Sequence, residues 1–168
     1  GGGGGGKAGV SDAAQAVLGK RVATRGGGLG ARYRLADLTT AIPLPEDVSA
    51  EEGASSFVNP LTVLGMVETM RREGHAALIH TAAASNLGQM LNRVCQAEGI
   101  PLINVVRKAE QAALLKGVGA QHVVNSADPD FFEQLVAAVA ETGATPALDA
   151  VGGGPVAGRI ALGITIAQ

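Results

Sequence analysis

The order of apolar and polar residues predicts four buried strands that alternate with helices from residue 76 to the end of the chain. Short apolar runs at 77–79, 100–106, 122–125 and 147–151 are typical of buried parallel strands. Between them, apolar residues recur at helical spacing, at Leu87, Met90, Leu91, Val94 and Cys95, within 110–116, and at Phe132, Leu135, Val136 and Val139. This alternation predicts an α/β fold, a doubly wound parallel Rossmann sheet whose ligands bind at the carboxyl ends of the strands.

Local sequence signals predict where several helices begin and end. Residues 49–52 have the capping-box pattern, with serine first and glutamate fourth. The Asn59-Pro60 pair predicts an N-cap followed by the first helical residue, and the helix it opens is expected to bury Leu61, Leu64, Val67 and Met70. The Asp128-Pro129 pair repeats that signal, and Gly99 is expected to end a helix in the left-handed conformation.

The N-terminal part of the chain has a different pattern. Residues 21–37 are β-like and predict a short piece of sheet, with Val22, Ala23, Tyr33 and Leu35 spaced around a Gly26-Gly27-Gly28 turn, before Pro43 and Pro45 close the region. The run from Gly1 to Gly6 is interpreted as a linker, a tag remnant or unassigned residues written as glycine, and no role is assigned to it. Because the chain also stops at Gln168 within a predicted helix, we expect it to be part of a longer enzyme.

Composition narrows the class of partner. The chain has 168 residues, 46% of them hydrophobic, which suffices for a buried core. A net charge of -2 without a block of like charges favours a small-molecule substrate over nucleic acid or an anionic membrane. The single cysteine argues against a disulfide or a cysteine-rich zinc site, so we expect a cytoplasmic protein. We expect no secretory leader. No apolar run has the roughly 20 residues that a helix needs to cross a bilayer.

Several reactive side chains have ordinary structural interpretations. His75, His80 and His122 lack a cysteine or paired carboxylates at ligand spacing, so local hydrogen bonding is expected rather than a metal site. Cys95 lies on the apolar face of its predicted helix and is expected to be a buried, inert thiol. Asp149 is expected to brace a turn rather than act as a general base.

The turn after the first of these strands, residues 82–88, has the small side chains that an anion-binding turn needs. A pyrophosphate must approach backbone N–H groups at a helix N-terminus, where the helix dipole favours it. Gly88 occupies the third position of the G-x-G-x-x-G fingerprint, whereas Ala83 and Ser85 replace the first two glycines. Asn86 tolerates the left-handed conformation and Ser85 adds a hydroxyl donor. A tight turn that binds nothing is the alternative.

The end of the second strand carries two cations, Arg107 and Lys108. A site that prefers NADH usually has Asp or Glu there, about 20 residues after the turn, to bind the ribose hydroxyls. Arginine and lysine instead favour a 2′-phosphate, so the sequence predicts NADPH as cofactor. Solvated charges at a strand end are the alternative.

Taken in order, these residues resemble the zinc-independent branch of the medium-chain dehydrogenase/reductase superfamily, the group of quinone oxidoreductases and 2-enoyl thioester reductases. The resemblance runs from about Arg32 to Gly154. It rests on Tyr33-Arg34-Leu35-Ala36, taken as a strand, Ile42-Pro43-Leu44-Pro45, Asn59-Pro60-Leu61-Thr62, the alanine-rich turn to Gly88, Ile103-Asn104-Val105-Val106-Arg107, Gly119-Ala120, and Leu148-Asp149-Ala150-Val151-Gly152-Gly153.

The resemblance implies the domain organisation and a set of cofactor contacts. Residues 1–45 would hold the glycine run and a remnant of a β-rich, GroES-like catalytic domain, and residues 46–168 a C-terminally incomplete NADP-binding domain. The nicotinamide would lie near Asn59 and Thr62, and Arg107 would bind the 2′-phosphate. The pyrophosphate would be held by Ser85, Asn86, Leu87 and Gly88, and the next strand end would border the cofactor with Val151, Gly152 and Gly153. A plain N-cap is an equal alternative for Asn59. Related proteins also suggest a homodimer.

These expectations together predict a zinc-independent, NADPH-dependent oxidoreductase that transfers hydride to a quinone or an activated enoyl double bond. No catalytic residue is assigned, because the similar thioester reductases use a tyrosine earlier in the catalytic domain, and that role is not transferred to Tyr33. Two alternatives stay open. One is a noncatalytic NADPH-binding sensor or structural protein of the same fold, and the other is an α/β domain that binds S-adenosylmethionine or no nucleotide.

Overall fold

The computed structural model describes residues 2–5, 11–27 and 30–167. The chain divides into two compact units, Gly1–Leu61 and Thr62–Gln168. Gly1, Gly6, Gly28 and Gln168, which figured in the expectations above, lie outside the described residues. The expected domain boundary after Pro45 stays a prediction.

The N-terminal unit contains a three-stranded antiparallel sheet. Its strands are β1 (Gly2–Gly5), β2 (Arg21–Thr24) and β3 (Ala41–Pro43), with β2 in the middle. In the register of the two outer pairs, Thr24 lies opposite Gly2 in β1 and opposite Ala41 in β3. The unit also has helices α1 (Asp12–Gln15) and α2 (Ala50–Ser55) and a short 3₁₀ helix at Leu38–Thr40. Four residues of the glycine run are therefore paired in a strand.

Two expectations for this unit have clear outcomes. The predicted strand at Tyr33-Arg34-Leu35-Ala36 is wrong, because these residues form an irregular segment in which Tyr33 is 70% and Leu35 98% exposed. The alternating apolar residues of this segment do not pair with a strand, because β2 pairs with β1 and β3 instead. The capping box is confirmed: Ser49 Oγ accepts from Glu52 N at 3.2 Å, and the Glu52 carboxylate accepts from Ser49 N at 2.8 Å. The expected remnant of a GroES-like catalytic domain within residues 1–45 stays a prediction.

The C-terminal unit is built on a four-stranded parallel sheet in the order β6-β5-β4-β7. The strands are β4 (Leu78–His80), β5 (Leu102–Val106), β6 (His122–Asn125) and β7 (Ala147–Leu148). The helices are α3 (Val58–Arg72), which begins before the unit boundary, α4 (Asn86–Glu98), α5 (Ala109–Gly117), α6 (Phe131–Thr142) and α7 (Pro155–Ala167). The predicted doubly wound Rossmann arrangement is confirmed, with β7 shorter than the predicted 147–151.

Helices cover both faces of the sheet because successive strand residues point to opposite sides. Ile79, Ile103 and Val105 face a core formed with α6 and α7, which includes Phe131, Leu135 and Ile160. Leu78 and Leu102 face the opposite core, formed with α3 and α4, which includes Val63, Val67, Met70, Leu91 and Cys95. The sheet is therefore buried between two helical layers, and its carboxyl edge is left for ligands.

Of four expectations for the helices, three were wrong and one is confirmed. Asn59 is not the N-cap of α3, because the helix already begins at Val58. On that helix Leu61 and Leu64 are 58% and 55% exposed, and the buried face is Val63, Val67 and Met70. In α6 the N-cap is Asp130, without a side-chain cap bond, so the Asp128-Pro129 start was predicted two residues early. The left-handed end of α4 at Gly99 is confirmed, with φ of 68°.

Candidate functional site

The strand order places a topological switch point between β4 and β7. From β4 the chain moves to β5 and then β6 on one side, whereas β7 pairs with the other side of β4. In open α/β sheets, ligands bind outside the carboxyl ends of the strands at such a point. The site therefore consists of the β4–α4 turn, the link after β7 and the end of β5.

The β4–α4 turn is compact because Gly88 has no side chain. A Cβ on Gly88 would overlap the carbonyl oxygen of Ala83 and lie 2.6 Å from its carbonyl carbon. The predicted close packing of helix on strand at this glycine is therefore explained. On the other side of the turn, Ala83 N donates to Val105 O of β5 at 3.3 Å, and Gln89 Nε2 donates to Ala84 O at 2.9 Å.

The turn presents the N-terminus of α4 to solvent. Ser85 is the N-cap and its Oγ accepts from Gly88 N at 3.2 Å. Ser85 and Asn86 are exposed, and the amides of Asn86 and Leu87 are first-turn N–H groups that have no acceptor within the helix. An anion over this turn would receive those amides and the favourable end of the helix dipole.

Two details of the turn differ from expectation. The left-handed residue is Ala82, with φ of 52°, whereas Asn86 was expected to tolerate that conformation and is the first residue of α4. The Ser85 hydroxyl was expected to serve as a donor, and it is used as an acceptor for the helix cap. Its own proton is still available to a ligand, because an N-cap hydroxyl accepts through a lone pair.

A hydrogen bond between Thr81 and Asp149 connects the ends of β4 and β7. No role for Thr81 was predicted from the sequence. Thr81 Oγ1 donates to Asp149 Oδ1 at 2.7 Å and accepts from Ala150 N at 2.8 Å. The Asp149 carboxylate also accepts from Val151 N at 3.0 Å and from Gly153 N. The Gly153 amide, the Thr81 hydroxyl and the Val151 amide hold the pKa of Asp149 below its ordinary value. The expected bracing role of Asp149 agrees with this geometry.

The link after β7 is an exposed, glycine-rich segment. Gly152, Gly153 and Gly154 all have positive φ, at 88°, 97° and 84°, and Val151 is 55% exposed. Space is open around all three glycines. The predicted contact residues Val151, Gly152 and Gly153 therefore lie at the switch point, beside the β4–α4 turn through the Thr81–Asp149 bond.

Arg107 and Lys108 follow β5 directly and are both exposed. Arg107 N donates to Gln111 Oε1 at 3.1 Å, which fixes the backbone at the strand end. Among the residues that the structure describes, neither cation forms an ion pair; the pairs are Arg71–Glu98 and the two histidine pairs with Glu73 and Glu141. Their charges are thus available at the carboxyl edge of the sheet.

Asn59 and Thr62 belong to different compact units of the chain. Asn59 belongs to the N-terminal unit, and Thr62 is the first residue of the C-terminal unit. Both lie in the first two turns of α3. Their expected role beside the nicotinamide stays a prediction.

His75 and His80 have local hydrogen-bond partners, as expected, whereas the His122 ring has only a longer contact. His75 Nδ1 lies 2.6 Å from Thr145 Oγ1, His80 Nδ1 lies 3.2 Å from Leu148 O, and His122 Nδ1 lies 3.8 Å from a Glu141 carboxylate oxygen. Burial, and then the charge of Glu98, raises the pKa of the Cys95 thiol to about 11, which leaves it protonated at neutral pH. Within residues 11–27 and 30–167, no three acidic, histidine or cysteine side chains are grouped as metal ligands would be.

Comparison with known structures finds several similar oxidoreductases. A Mesorhizobium loti protein to which NADPH:quinone reductase activity has been attributed is 38% identical, with a TM-score of 0.81 over 91% of this chain and 45% of its own. The Escherichia coli quinone oxidoreductase, solved as a complex with NADPH, is 27% identical, with a TM-score of 0.60 over 70% of this chain and 37% of its own.

A relative is also found by sequence. The mitochondrial enoyl-acyl-carrier-protein reductase of Bos taurus is 33% identical over 88 residues, which are 49% of this chain and 24% of that protein. No protein-family model matches the chain. The chain thus spans less than half the length of each of these relatives. No helix in the described part of the chain combines the length and apolar character needed to span a membrane.

Proposed function

We propose that this chain, which resembles the quinone oxidoreductases and enoyl thioester reductases of the medium-chain dehydrogenase/reductase superfamily, binds NADPH at the carboxyl edge of its parallel sheet. The pyrophosphate lies over the amides of Asn86 and Leu87, beside Ser85 and Gly88. The 2′-phosphate binds Arg107 and Lys108. The cofactor then runs past Val151, Gly152 and Gly153, with its nicotinamide toward Asn59 and Thr62.

The observation that carries this proposal is the position of Arg107 relative to the anion-binding turn. Arg107 directly follows β5, which is the neighbour of β4, and the backbone of the turn after β4 is bonded to β5 through Ala83 N and Val105 O. A cofactor with one anionic group over the turn therefore reaches the next strand end with its ribose. No carboxylate stands at Arg107 or Lys108 to bind ribose hydroxyls, so the phosphorylated ribose is favoured.

The activity proposed for the whole protein is hydride transfer from NADPH to a quinone or an activated enoyl double bond. Relatives of both reaction types support it, namely the quinone reductases and the bovine enoyl reductase. The cofactor supplies the hydride when bound, and the residues of this chain hold and orient it. Zinc independence, a homodimer and a cytoplasmic location are part of the same proposal, and it assigns no catalytic proton donor.

The first test compares the affinities of the chain for NADPH and NADH before and after Arg107→Ala. A charge-assisted contact to a phosphate is worth about 1.5–3 kcal/mol, so the NADPH affinity should fall roughly ten- to hundredfold. The NADH affinity should change little, because NADH has no 2′-phosphate. Titration calorimetry measures both constants at fixed salt concentration.

Arg93→Ala is the matched control, because Arg93 is an exposed arginine of α4 outside the carboxyl edge. It should leave the NADPH to NADH ratio unchanged. Equal affinity of the unmodified chain for the two cofactors, or an equal loss of both in Arg107→Ala, would refute the assignment of Arg107.

A further inference from the structure

Asp149 places a negative charge at the switch point, and the binding of phosphates by the proposed NADPH site does not account for it. The carboxylate is exposed and, within the described part of the chain, forms no ion pair with lysine, arginine or histidine. The Gly153 amide and the Thr81 hydroxyl hold its pKa below the ordinary aspartate value, so it is ionised at neutral pH. A fixed negative charge therefore lies beside a site for an anionic cofactor.

The backbone after β7 turns its N–H groups toward this carboxylate. Ala150 N donates to Thr81 Oγ1 at 2.8 Å. Val151 N and Gly153 N donate to the two oxygens of the Asp149 carboxylate, the first of them at 3.0 Å. Each of these N–H groups has one hydrogen to donate, and it is used within the chain. The link after β7 therefore does not offer these amides to an anion, unlike the start of α4, whose first amides have no acceptor within the helix.

The charges at the carboxyl edge change sign from one side to the other. Arg107 and Lys108 follow β5, the positive end of the α4 dipole lies next to β4, and Asp149 follows β7. Neighbouring strands are about 4.8 Å apart, so the ends of β5 and β7, with β4 between them, are separated by about 10 Å. An elongated ligand that spans this edge therefore meets positive charge on one side and negative charge on the other.

The oxidised form of the proposed cofactor has the same order of charges. Both redox forms carry the 2′-phosphate at one end and the pyrophosphate in the middle, whereas the nicotinamide ring is neutral in NADPH and positively charged in NADP⁺. The ring gains that charge because the hydride leaves its C4 with both bonding electrons. Complementary charges along a binding surface give specificity between ligands that are otherwise alike. A carboxylate beside the ring therefore distinguishes the two forms, and the cations that bind the phosphates do not.

We propose that Asp149 shifts the preference of this site toward NADP⁺ and away from NADPH, because its carboxylate attracts the charged ring and not the neutral one. The inference rests on the proposed NADPH site, in which the cofactor runs past Val151, Gly152 and Gly153. Because Val151 N and Gly153 N donate to Asp149, the carboxylate adjoins that path. The same attraction acts while hydride leaves, so Asp149 also stabilises the positive charge that develops on the ring.

The test is a calorimetric titration of the unmodified chain and of Asp149→Asn with NADP⁺ and with NADPH. Both forms have the same phosphates, so the contributions of Arg107 and Lys108 cancel in the ratio of the two affinities. Loss of the charge should lower the ratio of NADP⁺ to NADPH affinity roughly fivefold, as expected of one unit charge near a protein surface. Asp149→Glu keeps the charge and should keep the ratio. An unchanged ratio in Asp149→Asn would overturn the proposal.

Thr81→Val separates the charge of Asp149 from the geometry of the link. Valine has nearly the shape of threonine but no hydroxyl, so the Thr81–Asp149 bond is lost while the carboxylate stays charged. The variant should weaken the binding of both redox forms alike and leave their ratio unchanged. If Thr81→Val lowered the ratio as much as Asp149→Asn, geometry rather than charge would decide, and the proposal would be wrong.

A further measurement needs only the unmodified chain, so a folding defect in a variant cannot obscure it. Salt screens the attraction between exposed charges, so the affinity ratio should fall when the ionic strength rises from about 0.01 M to about 1 M. A constant ratio would overturn the role of Asp149. If neither form binds, or if Arg107→Ala does not weaken the binding of both, the proposed NADPH site itself is wrong. If both forms bind as expected and only the ratio is insensitive, the inference about Asp149 fails alone.

Discussion

Gly88 shows how one missing side chain determines the geometry of the β4–α4 turn. A Cβ there would meet the backbone of Ala83, which cannot swing aside as the end of a flexible side chain can. Gly88→Ala should therefore move α4 and lower the free energy of unfolding by about 1–3 kcal/mol. It should also weaken NADPH binding, because the amides of Asn86 and Leu87 would shift.

Urea unfolding measures the first effect, and Gly158→Ala is the control. Gly158 lies in α7 with no atom within 4 Å of its added Cβ, so alanine there should stabilise the chain by about 0.5–1 kcal/mol. If Gly88→Ala were as stable as Gly158→Ala, the close approach of helix and strand would not be what requires glycine.

His80 should make stability fall in mildly acidic solution. Burial lowers its pKa, against smaller opposing effects of the Leu148 carbonyl and Asp149, so the folded chain holds a neutral imidazole. The ordinary histidine pKa is about 6.5. The stability from this group is therefore present above that value and is lost as the pH falls through the lower folded pKa.

His80→Gln isolates the effect of His80 from the other two histidines. Glutamine has an N–H for Leu148 O, as His80 Nδ1 has, but cannot take up a proton. Chemical unfolding between pH 8 and pH 5 should give a flatter profile for the variant. Parallel profiles would show that His80 does not titrate differently on folding.

At the scale of elements, Asp149 stabilises the pairing between the ends of β4 and β7. The strands share only two register pairs, Ile79 with Ala147 and His80 with Leu148, so the Thr81–Asp149 bond extends a short pairing. Because the folded pKa of Asp149 is lowered, its stabilisation is present above the ordinary aspartate pKa and disappears as the pH falls through the folded value.

Asp149→Asn should lower the melting temperature at pH 7, since its NH₂ group replaces one of the two carboxylate oxygens and cannot accept the amide N–H, of Val151 or of Gly153, that this oxygen accepts. The difference from the unmodified chain should begin to narrow below the ordinary aspartate pKa of about 4 and should disappear as the pH falls through the lower pKa of the folded carboxyl. Asp47→Asn, at an exposed position of the N-terminal unit, should change little. A constant difference across the pH range would contradict this role.

The elements show why sequence patterns predicted some boundaries and missed others. β6 was predicted at its observed residues, because His122–Asn125 is flanked by clear turn signals. The start of α3 was predicted wrongly because Asn59 and Pro60 are typical of a helix start but do not fix the first helical residue. The residue at which α3 begins is set by the packing of Val63, Val67 and Met70. Cap residues therefore indicate a helix more reliably than they locate its first residue.

At the scale of the molecule, the parallel sheet followed from alternation alone, whereas the features that hold its carboxyl edge together did not. The Thr81–Asp149 bond joins residues that are 68 positions apart, and no local pattern connects them. The irregular Tyr33–Leu35 segment was missed for a related reason: apolar alternation marks a strand only when another strand pairs with it. Contacts distant in sequence decide both cases.

The two sides of the carboxyl edge differ in how freely evolution or design can alter them. Beyond β7, three successive glycines have positive φ, so any other residue there would strain the backbone whatever space surrounds it. Across the switch point, Ala82 already holds such a conformation with a side chain. Substitutions that change ligand specificity are therefore easier to introduce in the turn after β4. In the link after β7, few residue types other than glycine are tolerated.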